Sequence, residues 1–357
     1  MTNPLIRTAL RNSLAQVKHV RPVKPAQADT RTREGYGQVE HDLGLVAPQI
    51  ALHSPAPDTF AAAWVLLRET LVAQGELDRT TKEAVAAIVA LGNASPYLAE
   101  LHTATMDALA GARPADDPEF DHRVRAAADW ARASRLRPTA GQKGNPGNLS
   151  ELIGVLVAAH YLTRMANVFL PDSPVPGLPA AARTRALALL GHVLIPATIA
   201  HHIPGTSLPF LPRAPDEPPW AAGNPTVADA VARATSAIER AGRRSVPERV
   251  RQLVRAELSE WDGRPPDRGA IDAAVRGLPF IERPAARLAL LTAQSSAAVD
   301  DALVAEFRRA EPDDRALIEL TSWASLTAAH TIGAWTWAAR QPDPVAPVGR
   351  IPELVGR

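Results

Sequence analysis

The stretch Glu83-Ala-Val-Ala-Ala-Ile-Val-Ala-Leu-Gly-Asn-Ala-Ser-Pro-Tyr-Leu-Ala-Glu-Leu-His102 decides how this chain folds. Ala84, Val85, Ile88, Val89 and Leu91 are apolar almost all round a helical wheel, which predicts a deeply buried helix. Asp78 or Thr80 opens it and Gly92-Asn93 closes it. Ser95-Pro96 then starts a second helix, because serine suits the N-cap and proline the first helical position. His102 lies seven residues beyond Ser95 and four beyond Leu98, so the three share one face of the second helix. If the two helices pack antiparallel, Glu83 approaches His102.

Outward from this hairpin the composition agrees with a helical protein. Hydrophobic residues make up 46% of the 357 residues and aromatics only 4%. Alanine and leucine therefore supply most of the core, whereas strands favour β-branched and aromatic side chains. The chain reads as all-α. Lys+Arg 39 against Asp+Glu 38 leaves a net charge of +1. That gives no global field for nucleic acid or an anionic membrane, and neither is expected as a partner. No long uninterrupted apolar run and no secretory signal is read, so no membrane span is expected and the cytoplasm is the default location. The absence of cysteine excludes disulfides and thiolate metal sites.

Further helices are expected over 1–19, from Asp58 to Gly75 with a stripe of Phe60, Trp64, Leu67 and Leu71, over 117–136, from Asn148 or Ser150 through ELIGVLVAAHYLTRMANVF, and over 180–203. Residues 20–57 carry little periodicity and are expected to lie over the surface. Residues 139–147 form a Gly/Pro-rich loop. The run IPGTSLPFLPRAPDEPPWAAGNP marks a linker at 204–225. Helices then follow over 226–241, 246–261, 267–276, 282–309 and 313–339, with a loose tail from 341. The domain layout is thus 1–203, a linker at 204–225, 226–340 and a tail at 341–357. LSELIGVLVAAHYLTRMANVF lines up with RALIELTSWASLTAAHTIGAW, which points to a degenerate duplication: two similar helical halves about a pseudo-twofold axis, one carrying a site.

The candidate site begins with Glu83, a carboxylate in an apolar helix that must find a partner or shift its pKa. Beside His102 and a helix N-terminus it forms a plausible acid–base pair. Capping alone accounts for Ser95, and core packing for Leu98. His160, Arg164 and Asn167 share the later core helix. Two readings stand for them: they line the same pocket and bind an acidic group, or an arginine–carboxylate pair holds the bundle together. His201-His202 point about 100° apart on a helix and chelate one ion poorly, so no metal site is expected. Trp323, Trp335, Trp337 and His330 read as packing. The basic run from Lys18 to Lys24 reads as a solvated arm, available to wrap a neighbour in an oligomer.

The segment resembles the alkylhydroperoxidase-D-like superfamily, which includes the carboxymuconolactone decarboxylases. Its peroxidase members carry a Glu, then Cys-x-x-Cys, then a His after three more residues. Glu83 falls on the glutamate, Ser95 and Leu98 on the two cysteines, and His102 on the histidine. The words LRETLVAQGELDRTTKEAVAAIVALGNASPY, LHTATMDALAG and AAHYLTRMANVF also fit, and the likeness covers about residues 55–170. The two-half layout is similar to that of longer members. The resemblance implies a helical bundle and, in the peroxidases, one cysteine that attacks the hydroperoxide and one that resolves it. Serine and leucine can do neither, because no thiolate or sulfenic acid is accessible to them.

What remains is proton chemistry. The resemblance to the decarboxylase branch, which works without the cysteine pair, suggests a lyase, isomerase or cyclase acting on a small carboxylated or carbonyl metabolite. Glu83 orients His102 in this reading, Tyr97 adds a hydroxyl, and the N–H groups of Tyr97 and Leu98 face a developing oxyanion. Ser95, Leu98, His160, Arg164 and Asn167 are the expected substrate-binding residues. No cofactor is required. The alternatives are an inactive scaffold or binding subunit, favoured by a sealed apolar site, and a recruited heme with His102 or His160 as axial ligand. A homo-oligomer is expected.

Overall fold

The computed structural model describes residues 12–111, 117–138 and 148–340. The expected loop at 139–147, the tail from 341 and most of the expected helix over 1–19 lie outside them; residues 12–16 form a short 3-10 helix. Among the described residues the regular structure is entirely helical.

The helices are α1 (Thr30–Leu43), α2 (Pro57–Leu67), α3 (Arg79–Gly92), α4 (Pro96–Gly111), α5 (Pro118–Ala133), α6 (Leu149–Phe169) and α7 (Ala180–Thr198). The later ones are α8 (Pro225–Ser245), α9 (Glu248–Glu260), α10 (Arg268–Ala274), α11 (Arg283–Gln294), α12 (Asp301–Ala310) and α13 (Asp314–Ala338). At two of the expected starts a polar side chain caps the helix. Asp78 accepts from the Thr81 N–H and Asn148 from the Glu151 N–H, each at the N-terminus of its helix. Each bond satisfies one of the donors a first helical turn leaves open.

α6 and α13 form the central packed pair, flanked by α2 against α8 and by α3 against α4 and α5. These are the two helices whose sequences line up with each other. Their contact holds polar groups as well: the Tyr161 hydroxyl donates to Ser322 Oγ at 3.2 Å in the buried seam. α6 has the length and hydropathy of a membrane-crossing helix, but 94% of its most apolar window is buried inside the fold. Its apolar surface faces other helices.

One hydrophobic core runs from Val20 and Val39 through α2, α6 and α8 to Trp335. The segment at 204–225 is tied down between the helices it joins. The buried Glu69 carboxylate accepts from the N–H groups of Gly205 and Ser207 and from the Ser207 hydroxyl. Trp220 and Ala221 are buried. Glu69 in turn takes a bond from Arg68, which also reaches Asp42 on α1.

Several expectations need correction. Residues 20–57 do not simply cover the surface: α1 buries Thr32, Gly35, Tyr36, Val39 and Asp42, and Ile50, Ala51, Leu52 and His53 are fully enclosed. The stripe was hidden because it uses small and polar residues. Asp58, the expected start of the helix and its natural capping residue, lies instead in the first turn of α2, paired with Arg31 at 2.6 Å. The end of that helix widens into a π-turn over Arg68–Val72. Leu91 is 62% exposed, so α3 is not apolar-buried all round. The expected helix 282–309 breaks at Ser295, between α11 and α12. The basic run near the start is no free arm. The Lys18 N–H bonds Phe169 O, Arg21 N–H bonds Asp314, and Val23 N–H bonds Ser54. The tryptophans do pack: Trp323 is fully buried, and Trp335 meets Trp261 in a tilted pair with ring centroids 5.6 Å apart.

Candidate active site

α3 and α4 form the expected antiparallel hairpin, closed by a tight turn in which Ala94 adopts a left-handed φ of 50° and the Ser95 N–H returns to Ala90 O at 2.8 Å. This turn brings Glu83, in the second turn of α3, against His102 on α4. His102 Nδ1 and Glu83 Oε2 are 2.6 Å apart, and Arg79 Nε donates to the other oxygen, Oε1, at 2.7 Å. The carboxylate is 2% exposed. Burial alone would push its pKa up. The charges of Arg79 and His102 and their hydrogen bonds outweigh burial and hold it down at about 2. An ionised carboxylate only accepts, so His102 Nδ1 carries the proton of this bond. In the neutral imidazole Nε2 is then left with its lone pair, as a general base requires.

The pair borders a cavity of about 310 Å³. α3 supplies Arg79 and Glu83, α4 supplies Tyr97, Leu98, Leu101, His102 and Thr105, and Leu162 of α6 closes one wall. α7 lies across the opening with Leu190, Leu194 and Thr198. It approaches α4 closely because Gly191 carries no side chain: a Cβ there would sit 2.6 Å from Ala104 O. The lining is mainly apolar, with a few convergent polar groups, as small-molecule sites are. Tyr97 is buried, which pushes its phenol pKa up and keeps it a neutral donor. Arg79 Nη1 is buried without a hydrogen-bond partner. One cavity-lining cation therefore keeps an unsatisfied donor next to the acid–base pair.

The structure unites Glu83, His102, Tyr97 and Leu98 in this cavity and places the remaining expected residues elsewhere. Ser95 is 1% exposed and does not line it, and its hydroxyl has no partner, so it makes no capping bond. His160, Arg164 and Asn167 do not line it either. They face the opposite side of α6 and lace the α3–α4 turn to the C-terminal half. Asn167 donates to Asn93 O and to Ser296 Oγ, both at 2.9 Å. Arg164 Nε donates to Ala293 O at 2.8 Å. Arg164 thus pairs with backbone and His160, not with a carboxylate. His202 is a structural residue, with Nε2 2.6 Å from Ala197 O at the end of α7.

Arg79 is not among the expected site residues, and its i, i+4 spacing to Glu83 is the sequence signal that points to it. The walls from Leu43 to Gln49 and from Pro174 to Pro176 had no such signal, since they are joined to the hairpin only by tertiary packing.

A helical fold with a Glu–His pair across the α3–α4 hairpin is the arrangement that the resemblance to the alkylhydroperoxidase-D-like superfamily implies. No family model matches the chain. Alkyl hydroperoxide reductase Rv2159c of Mycobacterium tuberculosis is 32% identical, over 91% of this chain and 96% of that protein. The chain belongs to the alkylhydroperoxidase-D-like family.

Proposed function

We propose that this chain is a non-redox acid–base enzyme, of lyase, isomerase or cyclase type, acting on a small carboxylated or carbonyl metabolite. The observation that carries the reading is the 2.6 Å Glu83–His102 pair on the wall of a cavity. The related reductase is named for hydroperoxide reduction. Thiol-based reduction needs a cysteine, and this chain has none.

In this reading His102 Nε2 takes a proton from the carbon next to the substrate carbonyl and returns it at the same or a neighbouring atom. The electron pair rests meanwhile on the carbonyl oxygen. Glu83 fixes the imidazole tautomer and stabilises the imidazolium that forms. Arg79 Nη1 supplies the donor that an anionic or carbonyl oxygen would satisfy, and the Tyr97 hydroxyl is a second such donor. A cavity that reaches both proton-handling groups favours an enzyme over an inactive scaffold.

The test is a panel of carboxylated lactones and β-keto acids, followed by NMR for solvent-deuterium incorporation and carbon dioxide release. A turned-over substrate should lose roughly 10²- to 10⁴-fold in rate with His102→Ala, and a comparable amount with Glu83→Gln. Unchanged turnover in both variants would sink the reading, as would peroxide consumption at an enzymatic rate.

A further inference from the structure

A second cavity, of about 850 Å³, opens on the far side of α3 from the Glu83–His102 site. Ile88, Val89 and Gly92 form its floor, and α5 with the loop after α9 forms its walls. Its charged lining is strongly unbalanced: Arg132, Arg135, Arg137 and Arg264 against the single carboxylate of Asp262. Asp262 pairs with Arg264 at 3.2 Å, Arg132 pairs with Asp129, and Arg137 donates to Ser259 O. Arg135 has no hydrogen-bond or ion-pair partner among the described residues. Its stem passes over Gly92, where a Cβ would lie 3.1 Å from Arg135 Cδ.

At the back of this cavity stands His160, only 2% exposed. Arg164 Nη1 lies 3.0 Å from its Nδ1, and Asn93 Nδ2 also lies 3.0 Å from it. A guanidinium can donate but never accept, so Nδ1 is the acceptor and the imidazole proton sits on Nε2. Burial, with the Arg164 charge beside it, lowers the His160 pKa far below its usual value and keeps the ring neutral. Its Nε2 is buried and has no hydrogen-bond partner. A buried donor without an acceptor costs free energy unless something completes it.

We propose that the cleft between α3, α5 and the α9–α10 loop is a second ligand site, which takes a small anion through its phosphate or carboxylate oxygens. One oxygen accepts from His160 Nε2–H, and Arg135 and Arg264 neutralise the charge at the mouth. This site does not depend on the acid–base reading of the first cavity.

Calorimetric titration of the full chain with inorganic phosphate and, separately, with citrate tests it and distinguishes the two oxygen sources. Saturable binding of at least one probe is expected. The double variant Arg135→Gln/Arg264→Gln, altered only at exposed positions, should weaken it by about tenfold or more. At saturation the His160 Nε2 resonance should move in a ¹⁵N-labelled sample, and His102→Ala should bind the probe as the parent does. The proposal is overturned if neither probe binds saturably, if the arginine variant binds unchanged, if the His160 resonance stays still at saturation, or if His102→Ala abolishes binding.

Discussion

Glu83 is held at both oxygens by donors from different helices, and this double grip explains why a fully enclosed carboxylate stays ionised. The same hairpin shows how the two positions that carry cysteine in the family's peroxidases differ here. Leu98 borders the cavity, whereas Ser95 is sealed behind it. A thiol restored at each position should therefore behave differently. Leu98→Cys should react with a small alkylating reagent faster than Ser95→Cys, because both positions are closed to bulk solvent and share one helix N-terminus but only Leu98 borders the cavity. Mass spectrometry of timed samples reads this, and equal rates would contradict the placement. Arg79→Gln removes the donor nearest the pair. It should raise KM for an anionic substrate and leave far-UV circular dichroism unchanged.

At the scale of elements, α3 and α8 show where the architecture is sensitive. α3 begins at Asp78, whose carboxylate accepts from the Thr81 N–H and hydroxyl one turn before Glu83. Asp78→Ala should cost about 1 kcal/mol in urea denaturation. It should also reduce turnover, because the turn that frays carries Arg79. α8 meets α13 at Gly242, where an added Cβ would collide with the Trp323 indole. Trp323 is fully buried, and its indole N–H is held by Glu239. Gly242→Ala should destabilise by about 1–3 kcal/mol, in contrast to the usual small gain for this change in a helix. A stabilised variant would mean that the α8–α13 contact is looser than described.

On the scale of the whole molecule, one continuous core spans the described residues, with the buried His53 and His160 and the half-buried His330 spread through it. Burial first of all lowers His53 to about 3 and His330 to about 4, and lowers His160 well below its ordinary value. The sign follows from linkage. Between those depressed values and the ordinary 6.5, the unfolded chain binds protons that the folded chain does not, so stability falls as pH drops below about 6.5. Each histidine contributes at most about 1.4 kcal/mol per pH unit in that window. Glu83 acts lower, since its stabilising contribution is complete above about pH 4.5 and is lost as pH falls towards 2. Urea midpoints should fall steeply from pH 7 to pH 5, and His330→Phe should flatten that slope. Because the core is continuous from Val39 to Trp335, tryptophan fluorescence and circular dichroism should report one coincident unfolding transition.

The residues themselves determined the helical class, narrowed two helix starts to Asp78 or Thr80 and Asn148 or Ser150, and put Glu83 and His102 within reach of each other for an antiparallel hairpin; the structure chose Asp78 and Asn148. Those features follow from short-range spacing: a cap is read within three residues, a helical face within seven, and a hairpin of two helices leaves few ways to pack. The role of Arg79 was also within reach of spacing, as an i, i+4 pair. The helix at 30–43 was not, because its buried face sets Tyr36 and Val39 among Thr32, Gly35 and Asp42, which breaks the apolar stripe. Only tertiary structure decided that His160, Arg164 and Asn167 turn away from the cavity, since a helix buried on every side has no face that sequence can assign. Likewise only packing brought α7 and the residues near Pro48 and Pro174 over the site. Those contacts join segments many residues apart, and the energy that fixes them resides in the partner surface rather than in either segment.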